Sequence, residues 1–186
     1  MNIALIAKKG GVGKTTLCLL LHEAIRQTGQ TVAVRDYDAQ GSASKALSHI
    51  GGTKEVPGKS YQVLLIDTPP SLTLPATAAA VAGADIILVP TSPSPVDIWE
   101  ADEAARFAQS KNPKAIIRIV LNRTRTGTLL TEAIHDSLNG ISVPILPVTL
   151  GDRQSYQHAL LGGWTALDPK AEKEMFQLTV AITSLR

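Results

Sequence analysis

The stretch Lys8-Lys9-Gly10-Gly11-Val12-Gly13-Lys14-Thr15-Thr16 carries the residue types that hold phosphate. It follows an apolar run, Ile3-Ala4-Leu5-Ile6-Ala7, and precedes Leu17, Leu20, Leu21, Ala24 and Ile25 at helical spacing. Strand, glycine loop and helix in that order are the setting a phosphate-binding loop requires. The glycines let the backbone N–H groups from Gly10 to Thr16, Val12 included, turn inward around anionic oxygens. The start of the helix adds the positive end of its dipole. Lys14 is placed to reach the β- and γ-phosphates, and Thr15 to offer its hydroxyl to Mg²⁺.

Three more polar groups stand at the ends of apolar runs. Thr31–Arg35 closes on Asp36-Tyr37-Asp38, Tyr61–Ile66 on Asp67, and Ala115–Leu121 on Asn122-Arg123. Carboxylates at the carboxyl ends of strands beside a phosphate loop lie where open parallel sheets bind ligands. Asp36 and Asp38 share a face if the chain is extended, whereas a bend after Asp36 separates their roles. Asp67 ends a buried-type strand and reads as a Walker B acid that holds Mg²⁺ through water.

One detail departs from the plain G-x-x-x-x-G-K-[ST] loop. Lys8 stands at the first glycine position, Lys9 follows it, and Lys14 comes five positions after Lys9. This resembles the deviant Walker A loop of the ParA/MinD/nitrogenase iron protein superfamily. Asp36-Tyr37-Asp38-Ala39-Gln40-Gly41-Ser42 resembles that superfamily's first switch, with Ala39 where a proline is common, and Asp67-Thr68-Pro69-Pro70 resembles its second. The resemblance implies an ATP-sandwich homodimer in which Lys9 crosses to the partner's phosphates. It implies that Asp38 orients the attacking water and that Asp36 supports the Mg²⁺ shell. Asn122, with Arg123 beside it, is implied to meet the adenine edge, and Pro147 and Val148 to touch the base through their backbone. Lys8 gains no role from it.

The remaining elements must position these groups. Ser42–Ser48, Thr73–Ala82, Asp97–Ser110 and Thr128–Leu138 read as helices, with Pro93 and Pro95 in the loop before the third. Asp85–Pro90 and Val143–Pro147 read as strands. Ala171, Met175, Leu178, Ile182 and Leu185 make a helical stripe whose mixed-charge opposite side favours docking on the domain over a membrane surface. Strands alternating with helices predict an α/β fold, a mostly parallel twisted sheet with helices on both faces. The 186 residues fit one P-loop ATPase domain over 1–186.

Composition narrows the function classes. Hydrophobic content of 44% and charged content of 18% describe a globular chain. Cys18 is the only cysteine, so intrachain disulfides and cysteine-held iron–sulfur clusters are excluded. His22, His49, His135 and His158 lack metal-site spacing and read as structural or surface residues. No apolar run approaches a membrane span, so no membrane partner is expected and the cytoplasm is the expected compartment. The net charge of +2 does not announce nucleic acid. Even so, Arg106, Lys111, Lys114, Arg118, Arg123 and Arg125 follow one another without an acid between them. Arg106, Lys111 and Lys114 are candidate DNA contacts, against the alternative of a solvated face. Trp99 reads as a packing or interface residue.

Three classes compete within the superfamily: a DNA-partition ATPase, a membrane-associated MinD type and a metabolic enzyme. The switch wording lies nearest ParA, in its short form without an N-terminal helix-turn-helix domain. The resemblance then implies ATP and Mg²⁺ as cofactors, non-specific DNA binding on the nucleoid, and a ParB-like partner that stimulates hydrolysis. Positioning of a protein cargo or organelle is the alternative.

Overall fold

The computed structural model describes residues 1–125 and 140–185. Five strands form its sheet: β1 (Asn2–Leu5), β2 (Val32–Asp36), β3 (Val63–Asp67), β4 (Ile86–Thr91) and β5 (Ile116–Leu121). Their order is β2-β3-β1-β4-β5 and every pairing is parallel. The strands are nearly continuous aliphatic runs because both faces of the sheet are covered. Leu5, Val34, Leu65, Leu88 and Val120 point to one face; Ala4, Ala33, Ile66, Val89 and Ile119 point to the other.

The first face packs against α1 (Lys14–Gln27), α2 (Ser42–Ile50), α5 (Gln154–Gly162) and α6 (Pro169–Thr183). The second packs against α3 (Pro75–Ala82) and α4 (Pro95–Lys111), whose small residues Ala80, Ala101, Ala104, Ala105 and Ala108 allow close approach to the sheet. Ala171, Met175, Leu178 and Ile182 of α6 are buried in the first core, as the stripe requires. Cys18 is buried there too. Among the described residues, no helix is long and apolar enough to cross a membrane.

Two sequence expectations shift. The helix expected from Asp97 begins at Pro95: the Ser94 side chain caps it by accepting from Asp97 N, and proline fits the first helical turn, where no N–H partner is needed. The strand expected over Val143–Pro147 is a single bridge between Ile145 and Ile119. Pro144 and Pro147 have no N–H to donate, so the ladder is limited to Ile119 N to Pro144 O and Leu146 N to Ile119 O. The expected helix over Thr128–Leu138 lies outside the described residues.

β1 sits between β3 and β4, where the strand order reverses direction. The carboxyl ends of β1, β2, β3 and β5 deliver the phosphate loop, Asp36, Asp67 and Asn122 to one edge of the sheet.

Candidate nucleotide site

The phosphate loop joins β1 to α1. Gly11 and Gly13 have φ of 86° and 93°, conformations that L side chains rarely adopt. Gly13 is the N-cap of α1 and supplies no side-chain cap, so the first-turn N–H groups of α1 keep their donors for a ligand. The loop lines a cleft of about 360 Å³ with Lys14, Thr15, Thr16, Asp38, Gln40, Thr68, Pro70 and Arg123. Phosphate donors and both switch segments therefore meet in one place. Lys14 is only 7% exposed; burial lowers its pKa, and the Asp67 and Asp38 charges act in the opposite direction.

Thr15 Oγ1 donates to Asp67 Oδ2 at 2.7 Å. Asp67 Oδ1 is buried with no hydrogen-bond partner. Burial pushes the Asp67 carboxyl up to about 6, with the Thr15 hydrogen bond acting against it and the Asp36 charge adding to it. An orphaned carboxylate oxygen next to a threonine hydroxyl and a phosphate cradle fits Mg²⁺, which keeps several waters and takes few protein ligands.

Asp36, which ends β2, and Asp38 make different contacts. Asp36 accepts from Asp38 N at 3.0 Å through one oxygen and from Ser44 N at 2.8 Å through the other. It braces the switch against the first turn of α2. Among the described residues, Asp38 accepts only from Gln40 N, at 3.0 Å, and it lines the cleft. In the second switch, Thr68 Oγ1 donates to Leu5 O at 2.7 Å, tying its start to β1.

The lysines at the front of the loop turn toward α4. Lys9 pairs with Asp97 and, at 3.0 Å, with Glu100; Lys8 pairs with Glu103 at 2.7 Å. The hydrogen bonds that Lys9 donates to Asp97 and then to Glu100 raise its pKa. These acids were not singled out from the sequence. Their i, i+3 spacing and shared helix face were visible there, but not the loop lysines opposite.

Beyond Gly13 the cleft continues into a small space lined by Thr16, Asn122, Arg123, Gly151, Asp152, Arg153, Tyr156 and Gln157. Asn122 is nearly buried, donates from Nδ2 to Val12 O at 3.0 Å and accepts from Arg123 N at 2.9 Å. Pro147 and Val148, expected at the base, line a separate groove against α6 with Phe176 and Val180. The backbone explains the difference. Leu146 N bonds Ile119 O and Leu150 N bonds Leu121 O, so two steps of β5 are matched by four of this segment. Residues 147–149 bulge outward, and it is Gly151, paired with Thr124, that reaches the β5 end. Glu174 of α6 holds this turn by accepting from Gly151 N at 2.9 Å, Arg153 Nε at 3.1 Å and Tyr156 OH at 2.6 Å.

The candidate DNA contacts lie elsewhere. Arg106 is paired with Asp102 at 2.6 Å, whereas Lys111 and Lys114 are exposed where α4 turns into β5, at the sheet edge opposite the phosphate loop. Trp99 is exposed on α4.

Comparison with known proteins agrees with this geometry. The maintenance of carboxysome distribution protein A of Halothiobacillus neapolitanus is 28% identical over 187 residues, covering 87% of this chain and 84% of that protein. Its namesake from Gloeobacter kilaueensis is 35% identical over 184 residues, covering 89% and 83%. Among solved structures, MinD in the MinC:MinD cell division protein complex of Aquifex aeolicus superposes with a TM-score of 0.81 at 18% identity, covering 100% of this chain and 96% of that one. With residues 3–162 matching the family described as the CobQ/CobB/MinD/ParA nucleotide binding domain, this chain belongs to that family.

Proposed function

We propose that this chain is an ATPase of the ParA/MinD type that positions a protein assembly, using ATP-dependent dimerisation and non-specific DNA as its track. The observation that carries this reading is the match to two carboxysome distribution proteins along more than four fifths of their length. DNA segregation, the first expectation from the sequence, becomes the second reading; it is favoured by the ParA-like wording of the two switches.

In the proposed reaction the loop N–H groups and Lys14 hold the triphosphate in the cleft. Thr15 and, through water, Asp67 hold Mg²⁺, which when bound neutralises charge on the phosphate oxygens. Asp38, braced by Asp36, orients the attacking water. Lys9 of a second copy adds charge to the phosphates. Phosphoryl transfer demands mainly positioning and charge stabilisation, and this set supplies both. Localisation on the nucleoid and stimulation by a small partner protein belong to the same reading.

The test uses purified chain with MgATP, a non-specific DNA duplex and the product of the neighbouring gene. ATP-dependent, salt-sensitive DNA retention that the partner reverses by accelerating hydrolysis is expected. A partner that binds a protein assembly supports cargo positioning, and one that binds a specific DNA sequence supports segregation. No MgATP hydrolysis with or without the partner would sink both.

A further inference from the structure

One carboxylate on α6 holds the stretch of chain 151–156. Glu174 Oε2 accepts from Gly151 N at 2.9 Å, from Arg153 Nε at 3.1 Å and from Tyr156 OH at 2.6 Å, and Arg153 Nη2 pairs with the other oxygen. An ionised carboxylate offers about four acceptor positions, and here donors from the same short stretch take them. Glu174 therefore acts through the residues it holds, not by binding a ligand itself. Tyr156 is buried; burial pushes its hydroxyl pKa up and the bond to Glu174 adds to this, so it stays a donor.

The helix that carries Glu174 is a firm platform. Ala171, Met175, Leu178 and Ile182 anchor α6 in the core. Its N-cap, Asp168, accepts from Lys170 N and Ala171 N at 3.0 Å each and from Ser155 Oγ at 2.5 Å, so α6 grips the same stretch at a second point. The gripped residues face the cleft. Gly151, Arg153 and Tyr156 line its continuation beyond Gly13, with Thr16 and Arg123. Asp38, Thr68 and Pro70 of the two switches line the phosphate part instead, next to Thr15 and its bond to Asp67. A nucleotide whose terminal phosphate and metal meet those switches runs its other end past Gly13 and Thr16, toward the stretch that Glu174 holds.

We infer that Glu174 is a positioning residue for the nucleoside half of the ligand, fixing the stretch 151–156 from α6 as the wall against which the nucleoside rests. This rests on the nucleotide-binding reading above. A wall that is already ordered spares the complex the cost of ordering it on binding. Glu174 therefore contributes to ligands that carry a nucleoside and not to bare polyphosphate, which the phosphate loop holds without the wall.

The test compares the full chain with Glu174→Ala and Glu174→Gln, measuring binding of ATP and of inorganic tripolyphosphate, each with Mg²⁺, by calorimetry. ATP affinity is expected to fall by on the order of tenfold in Glu174→Ala. A smaller fall is expected in Glu174→Gln, whose amide oxygen can still accept from Gly151 N and Tyr156 OH while its NH₂ opposes the Arg153 donors. Tripolyphosphate affinity is expected to stay at the wild-type value in both variants, a readout that a general loss of structure would not spare. If Glu174→Ala does not fold, the same comparison in Glu174→Gln decides. The inference is overturned if ATP affinity does not fall, or if it falls together with tripolyphosphate affinity. Wild-type chain that binds neither ligand would overturn the nucleotide reading and this inference with it, whereas wild-type ATP binding that the variants leave intact overturns this inference alone.

Discussion

Thr15 Oγ1 and Asp67 Oδ2 lie 2.7 Å apart, and the bond leaves Asp67 Oδ1 buried and unpartnered beside the phosphate loop. The arrangement costs the ligand-free fold stability in a pH-dependent way. Burial raises the Asp67 carboxyl from 3.8 to about 6, so between those values the folded chain holds more protons than the unfolded one. Stability from this group therefore falls as pH rises through that window and stays low above it.

Asp67→Asn removes the penalty. In ligand-free protein the variant is expected to be more stable than wild type at pH 7.5 by up to about 3 kcal/mol, with the gain vanishing near pH 4. Urea unfolding at the two pH values measures it. MgATP turnover should fall in the same variant, because the asparagine amide replaces an anionic oxygen. Equal wild-type and variant stability at pH 7.5 would show that Asp67 is not a strained, charge-burying site.

Lys9 is engaged by Asp97 and Glu100 in the free chain, so reaching a second copy's phosphates requires breaking those pairs. Asp97→Asn with Glu100→Gln is therefore expected to lower the ATP concentration at half-maximal dimerisation by roughly threefold to tenfold. Lys9→Ala is expected to abolish the ATP-dependent dimer. Light scattering across an ATP titration follows both, and a dimer that persists without Lys9 removes its role across the interface.

How far the sequence could be read depended on range. The loop, both switch acids and the α6 stripe were legible because each is a local pattern of types and spacing. The Pro95 start of α4 was legible in principle: Ser94, Pro95 and Asp97 are a cap, a first-turn proline and an acid in the first turn. The partners of Lys9 and Lys8 were not, since nothing local brings α4 to the loop. The groove that Pro147 and Val148 line was hidden for a similar reason, because which residues bulge depends on the register of this segment against β5. Asn122 stood out at the end of an apolar run, but which way its amide turns is a matter of the Val12 carbonyl far away in sequence.

Asp38 lines the cleft with a single backbone hydrogen bond, to Gln40 N, which leaves its second oxygen for a water. Asp38→Ala is expected to bind ATP with little change and to lower hydrolysis by about a hundredfold or more, as for loss of a general base or water-orienting group. The dimer should then accumulate, because the step that dissolves it is blocked. Single-turnover hydrolysis with light scattering separates the effects; wild-type turnover would remove Asp38 from the chemistry.

The DNA surface can be tested by contrasting lysines that are exposed with an arginine that is occupied. Lys111 and Lys114 stand exposed at the far end of α4, whereas Arg106 is held by Asp102, whose other oxygen accepts from Ser142 N at 2.7 Å and Ser142 Oγ at 2.6 Å. Phosphate contacts release counterions, so each lysine that meets a phosphate contributes about 0.9 to the slope of log affinity against log salt. Lys111→Ala with Lys114→Ala is expected to weaken ATP-dependent retention of random-sequence DNA and to flatten that slope by roughly two per chain. Arg106→Ala alone should change retention much less, since its charge is already satisfied. The readout is DNA retention in ATP from 50 to 300 mM salt, an on-the-order-of sixfold range chosen to define the slope. An unchanged slope in the double variant would place the DNA surface away from this end of the sheet. A larger loss from Arg106→Ala would mean that the Asp102 pair opens when DNA binds.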